Sequence, residues 1–358
     1  MIIDFVKIIT PAVIAFAVGI AITPLLTEFL YKNKMWKKKA GKTAYDGNEA
    51  VVFNSLHKEK EIGTPRMGGI VIWASAVITM IGIWILATIF KDYDIITKID
   101  FVSRSQTWIP LATLITGALI GLIDDYAEIR GNTTHFAGGL SLKKRLAVVG
   151  TMGLLCGWWF YDKLDVTSIG LPGGYLLEIG WLIIPLFVIT ILGVYSSGVI
   201  DGLDGLAGGI FSTIFASYAI IAYSLNQVNL AAFCTLIVGA TLAFLWFNIP
   251  PARFYMSETG TMALTVTLTV VVFMTDSLGG GYGLLVLPVV ALPLVITSTS
   301  VVLQLLSKKF RGGKKIFKVA PIHHHFEAIG WPAYKVTMRF WVIGVVSALL
   351  GIIFALIA

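Results

Sequence analysis

The sequence predicts an all-α polytopic membrane protein with ten transmembrane helices, both termini extracytoplasmic, and a small β-hairpin on the outer face. Three observations predict it. The chain has 358 residues, 57% hydrophobic and only 13% charged, about half the charged fraction of a soluble domain. Its apolar residues gather into runs close to the ~20 residues that cross a bilayer. Its basic residues concentrate in alternate connections between those runs. The composition excludes disorder and a pair of soluble domains. The net charge of +7 is read as asymmetry across a membrane, with no nucleic-acid partner.

The runs come in order. Ile8–Leu30 is too long for a signal-peptide core and is read as an uncleaved first span. Met67–Phe90 follows, then a short run, Trp108–Ile123, ending at Asp124-Asp125. Lys144–Tyr161, Trp181–Ile200, Leu206–Leu225 and Leu230–Ile249 are next, and Gly260–Thr275 is again short. Tyr282–Leu306 is long enough to tilt or bend, with Pro288 and Pro293 as kink sites. Met338–Ala358 closes the chain. Cys156 and Cys234 lie inside apolar runs and read as small buried residues, with no disulfide framework.

The connections after the odd-numbered runs hold 22 of the 27 Lys and Arg residues; the other side has only Lys7, Lys91, Lys98, Arg104 and Lys163. The positive-inside rule therefore puts the odd connections in the cytoplasm. Among the outer connections, Asp165 to Ile179 reads as two extended stretches around Pro172-Gly173-Gly174, a hairpin. Residues 1–358 are read as one integral membrane domain, with the cytoplasmic segments 31–66, 124–143, 201–205, 250–259 and 307–337 forming its working face.

The carboxylates fall on that face. Asp124-Asp125 end the third run, Asp201 and Asp204 lie in Asp-Gly-Leu-Asp-Gly, Glu258 lies in Ser-Glu-Thr-Gly, and His323-His324-His325 precede the last run. Each has an ordinary alternative. Asp201 or Asp204 could cap the sixth helix, Glu258 could be a surface acid, and the histidines could be a solvated loop. Two adjacent aspartates at a helix C-terminus face its negative pole and require a cation. Five acids and three histidines from four connections, at one boundary, point to a divalent metal and phosphoryl transfer. Carboxylates are hard oxygen ligands suited to Mg²⁺, which offsets the repulsion between two phosphates. Gly202, Gly205, Gly208 and Gly209 would let backbone approach a phosphate closely, although glycines in membrane helices also serve packing.

Gly63-Thr-Pro-Arg-Met-Gly-Gly69, Gly121-Leu-Ile-Asp-Asp-Tyr126, Asp201-Gly-Leu-Asp-Gly-Leu-Ala207, Phe247-Asn248 with Glu258-Thr-Gly260, and Pro321-Ile-His-His-His-Phe-Glu327 occur in this order. Together they resemble the polyprenyl-phosphate N-acetylhexosamine-1-phosphate transferases, from about residue 20 to the C-terminus. The His run with Gly330-Trp331 and Arg339-Phe-Trp341 resembles the branch that uses UDP-N-acetylmuramoyl-pentapeptide. The resemblance implies a Mg²⁺-dependent enzyme of the bacterial cytoplasmic membrane, with undecaprenyl phosphate as acceptor and lipid I and UMP as products. It implies catalytic roles for Asp124, Asp125, Asp204 and His323, and metal ligation by Glu258 and Asp201. Asn248, Tyr255, His324 and His325 would bind the donor, with Tyr255 offering an aromatic face to uracil. Lys60, Lys143 and Arg145 are the candidates for the acceptor phosphate. The lipid bilayer is the obligatory surrounding, and a homodimer is left open.

The chain departs from the family pattern at several points. Gly198 stands where the family has Asn, Glu258 where it has the metal-binding Asp, Glu128 where it often has Lys, Glu61 in a usual Lys register, and Ala333 where Glu is typical. Loss of the Asn and the longer Glu258 are read as coupled. Gly198 and Glu258 keep open a transferase for another UDP-N-acetylhexosamine. An ion-coupled transporter is disfavoured, because transporter charges lie near the bilayer midplane and here the span interiors are nearly uncharged.

Overall fold

A computed structural model describes residues 2–38, 41, 54–55, 62–131 and 139–357. The chain is a helical bundle with one two-stranded sheet. In order, the elements are α1 (Ile2–Lys32), α2 (Ile70–Ile89), α3 (Asp94–Ile99), α4 (Trp108–Arg130), α5 (Leu142–Lys163), β1 (Ser168–Leu171), β2 (Tyr175–Glu178), α6 (Ile183–Ser196), α7 (Leu206–Ser224), α8 (Val228–Asn248), α9 (Ser257–Phe273), α10 (Gly283–Val290), α11 (Leu292–Phe310), α12 (Ile322–Ala328) and α13 (Ala333–Ile357).

Among the described residues, eight helices are long and apolar enough to cross a membrane, and α10 with α11 passes the same test as a pair bent by 73°. The bend falls between Pro288 and Pro293, at Ala291, as the prolines predict. The 22-residue α5 is not among the eight; its first turn carries Lys143, Lys144 and Arg145. This is a membrane protein by the length and apolarity of its helices.

α9 sits at the centre, buried at every position from Thr259 to Phe273. A helix apolar all round belongs in a core, and its threonines are accommodated by back-bonding: Thr261, Thr265 and Thr269 donate to the carbonyls four residues earlier. α4 packs tightly along it because Gly117 and Gly121 bring backbone against backbone. A Cβ on Gly121 would lie 2.2 Å from the Glu258 carbonyl oxygen. Such glycine-lined contacts are how apolar helices associate without a hydrophobic drive.

The predicted hairpin is present, with Leu171 paired to Tyr175 and Ser168 to Glu178, and with Gly173 and Gly174 at positive φ in its turn. It docks on the far end of α9. A π-helical turn, Met274–Leu278, carries Asp276 there, and the Asp276 carboxylate accepts N–H bonds from Gly170 of β1 (2.9 Å) and Leu284 of α10 (2.9 Å).

One expectation needs correction. The paired aspartates do not end the third span. α4 continues to Arg130 and stops only at Gly131 in the left-handed conformation, so Asp124 and Asp125 lie inside the helix, both fully buried. The cation they require must therefore come from side chains packed on α4, not from a loop at its end.

Candidate active site

The first turn of α9 organises the site. Its exposed N–H groups are the unsatisfied donors of any helix start, and two aspartates from elsewhere take them. The Asp125 carboxylate accepts from the Glu258 N–H (3.2 Å), the Thr259 N–H (2.9 Å) and the Thr259 hydroxyl (2.5 Å). Asp201 accepts from the Ser257 N–H at 2.9 Å. Both acids are held by backbone from a distant helix, so α4, the loop before α7 and α9 are fixed to one another at Glu258.

Glu258 and Asp124 meet across a guanidinium. Arg145 Nη1 is 2.6 Å from Glu258 Oε1, and Nη2 is 3.0 Å from Asp124 Oδ2. Arg145 Nε donates to the Leu140 carbonyl (3.0 Å), and the Leu140 N–H donates to Asp124 Oδ1 (2.6 Å). Arg145 thereby supplies the cation that the paired aspartates call for. Buried charges persist only when paired and hydrogen-bonded in this way.

The Asp-Gly-Leu-Asp-Gly loop meets the His run from the other side. A Cβ on Gly202 would lie 2.5 Å from His323 Nε2 and 2.6 Å from His324 Nε2, so only glycine allows the approach. Glu327 accepts or shares a proton with His324 Nδ1 at 2.7 Å, turning the other ring nitrogen toward Gly202. His325 is half-buried, with Nδ1 accepting from the Lys318 N–H at 3.2 Å. Asp204 accepts from the Ala252 N–H at 3.2 Å, and its carbonyl accepts from Thr337 of α13.

Asn248 ends α8 and Tyr255 lies between α8 and α9. Asn248 is 3% exposed and both ends of its amide are engaged, Oδ1 by the Gly205 N–H (2.9 Å) and Nδ2 by the Phe254 carbonyl (2.8 Å). It braces the loop. Tyr255 is half-buried and its backbone pairs with the Gly-Thr-Pro segment: Tyr255 N–H donates to Pro65, and Gly68 N–H to Tyr255. A Cβ on Gly68 or Gly69 would strike Phe254 or Gly260 at 2.3 Å, which explains that motif's glycines.

The glycines after Asp201 also have structural work. Gly205 has φ +77° and gives its N–H to Asn248, while Gly208 and Gly209 admit Leu245 and Trp341. At Gly205 the positive φ reverses the chain, and at Gly208 and Gly209 the missing side chain serves helix packing. Lys143 is exposed on α5, and Lys60, like Glu61, lies outside the described residues.

Among the described residues, no three His, Cys, Asp or Glu side chains converge as a ready metal cage. The structure adds residues that motif reading passed over. Thr259 and Glu327 lie within quoted motifs, three residues or fewer from a named acid or histidine, and could have been found there. Tyr195, an electrostatic neighbour of Arg145, and the Arg66–Glu128 ion pair (2.5 Å) join segments far apart in sequence and left no local signal. Gly198 faces the same helix turn: a Cβ there would meet Thr261 at 3.4 Å, and the Thr261 hydroxyl is 3.4 Å from Glu258 Oε2.

Comparison with known proteins gives one result throughout. Residues 107–276 match the family model described as Glycosyl transferase family 4. The chain is 32% identical over 349 residues to the phospho-N-acetylmuramoyl-pentapeptide-transferase of Bacillus anthracis, covering 96% of this chain and 97% of that protein. It is 31% identical over 345 residues to the Shouchella clausii protein of the same name, with 95% of each chain covered. The Anoxybacillus flavithermus protein of that name is 29% identical over 347 residues, covering 96% of this chain and 97% of the relative.

Proposed function

The chain belongs to the phospho-N-acetylmuramoyl-pentapeptide-transferase family, and from that premise we propose that it transfers phospho-N-acetylmuramoyl-pentapeptide from its UDP-linked donor to undecaprenyl phosphate, releasing UMP and forming lipid I. The observation that carries the reading is the convergence on the first turn of α9, where Asp125 and Asp201 hold the backbone and Arg145 joins Asp124 to Glu258. That places four acids from three chain segments at one end of the bundle, with His323 and His324 against the same loop.

Asp124 is the group that positions the acceptor phosphate or takes its proton, since one carboxylate oxygen is fixed by Leu140 and the other faces Arg145. Asp125 is a positioning residue whose oxygens keep Glu258 and Thr259 in place. Arg145 has the fork geometry that recognises phosphate, and exchange of its carboxylates for a phosphoryl group would bring substrate beside Asp124. Asp204, Asn248 and His325 hold the surrounding loops, while Tyr255 offers the aromatic face to uracil.

Mg²⁺ fits this donor set. It commonly takes one or two carboxylates and completes its shell with substrate phosphates and waters, so no preformed cage of three is needed. Asp201, whose carboxylate accepts from the Ser257 N–H, and Glu258, the next residue of α9, would hold it. When bound it supplies charge neutralisation for the diphosphate.

The topology that goes with this reading has α5 and the bent α10–α11 pair as spans, for ten in all. The concentration of Lys and Arg on the site's side puts that side in the cytoplasm and both termini outside. The test is UMP release by the purified protein with undecaprenyl phosphate, Mg²⁺ and a panel of UDP-sugars. Release from the muramoyl-pentapeptide donor alone is expected. Release only from another UDP-N-acetylhexosamine would reassign the donor, and chelation of the metal should stop the reaction.

A further inference from the structure

Glu128 on α4 gathers two cations that motif reading did not connect. Its Oε2 is 2.5 Å from Arg66 Nη1 and its Oε1 is 3.1 Å from Lys37 Nζ. The side chains are 6%, 17% and 11% exposed for Glu128, Arg66 and Lys37. Arg66 belongs to the Gly63–Gly69 segment, and its own N–H donates to the Met35 carbonyl, two residues before Lys37. The cluster therefore ties the chain after α1 to the Gly-Thr-Pro segment and to α4.

Its location has a direction. Asp124 and Glu128 are four residues apart on α4 and so share one helix face. Each is paired with an arginine: Asp124 with Arg145, Glu128 with Arg66. The two paired carboxylates thus leave α4 about one helical turn, ~5.4 Å, apart along its axis. Between them lies Asp125, on which Arg66 also acts as an attractive charge. The Arg66 segment is in turn zipped by backbone to Tyr255, the aromatic candidate for the base, through Pro65 and Gly68. Arg145 pairs with the carboxylates of the reacting centre, whereas Arg66 pairs with Glu128 farther along α4.

We propose that Arg66, oriented by Glu128 with Lys37 beside it, binds a phosphate of the nucleoside-diphosphate donor, leaving Arg145 to the phosphoryl group beside Asp124. This rests on the UDP-donor reading given above. An arginine fork engages phosphate oxygens in pairs, and a carboxylate that holds one edge of the guanidinium leaves the fork oriented before substrate arrives. It also accounts for Glu128 at a position where the resembled family often has lysine. The cation is delivered from the Gly-Thr-Pro segment, and α4 supplies the acid that aims it.

The experiment uses the full chain in lipid nanodiscs, with UDP as the binding probe and the muramoyl-pentapeptide donor for turnover. Arg66→Met, which keeps an apolar stem, should weaken UDP binding about tenfold and flatten its dependence on salt. KM for the donor should rise in parallel, with kcat within about threefold and KM for undecaprenyl phosphate unchanged. Arg66→Lys should recover most of the affinity. Lys37→Met should lower it less than Arg66→Met does. If Arg66→Met binds UDP as the parent does, or if donor and acceptor parameters fall together with the thermal midpoint, the cluster is only a staple and the proposal is wrong. A parent protein that binds no UDP overturns both this inference and the donor reading; one that binds UDP regardless of Arg66 overturns this inference alone.

Discussion

The two ends of α9 solve the same problem in opposite ways. At the far end, Asp276 is 1% exposed and satisfied by two backbone N–H groups, from Gly170 and Leu284. It pins the hairpin and the broken helix to the core. At the near end, several carboxylates are crowded together, and two of them, Asp124 and Glu258, depend on the single guanidinium of Arg145. A buried acid whose partners are backbone is a fastener, because nothing a substrate brings improves on those bonds. Acids that share one side-chain cation can exchange it for a ligand. Asp125 shows that proximity to the site does not decide the matter: it stands beside Asp124 in sequence, yet its bonds to Glu258 and Thr259 resemble those of Asp276.

The sharpest way to break this comparison is Asp124→Asn. The amide oxygen can still accept from Leu140, so the thermal midpoint should stay close to the parent, while UMP release falls by about 100-fold or more. A variant that keeps parental turnover would remove Asp124 from the reacting centre. Next in size is Glu258→Asp. Shortening the side chain opposite Gly198 should raise the Mg²⁺ concentration needed for half-maximal turnover about tenfold, and Gly198→Asn added to it should restore the requirement. Tighter Mg²⁺ dependence in Glu258→Asp alone would dissolve the coupling between the two positions.

Asp125→Asn and Asp276→Asn form a matched pair with smaller effects. Each turns an amide donor toward an N–H, leaving a buried group unsatisfied at a cost of about 1–3 kcal/mol, read as a lowered thermal midpoint. Activity per folded molecule should fall only in Asp125→Asn, since Glu258 hangs on that carboxylate. Equal activity losses in both would mean that the far end also feeds the chemistry. Gly121→Ala sharpens the same contrast: overpacking against the Glu258 carbonyl should cost about 1–3 kcal/mol and displace Glu258 together with its helix turn, so stability and turnover should drop together.

Much of this was legible in the sequence because it rests on one-dimensional pattern. The apolar runs, the hairpin around Pro172-Gly173-Gly174 and the bend between Pro288 and Pro293 follow from bilayer thickness, turn chemistry and the missing proline N–H. The motif acids were visible too, since acids are conspicuous at the ends of apolar runs. Their roles were not. No local pattern shows that the Asn248 amide is bonded to Gly205 and Phe254. Nor does any pattern show that Gly202 lies against the histidines and Gly209 against Trp341.

The sequence by itself determined that this chain is a membrane-embedded bundle, which of its faces is basic, and which acids lie at that face. Each of those follows from local composition and a fixed bilayer thickness. Only the tertiary structure decided that Arg145 joins Asp124 to Glu258, that Asp125 serves the α9 backbone, and that Glu128 aims Arg66 from a segment 62 residues away. Ion pairs and shared N–H donors are set by the distance between side chains after helices pack, and no periodicity along the chain records that distance.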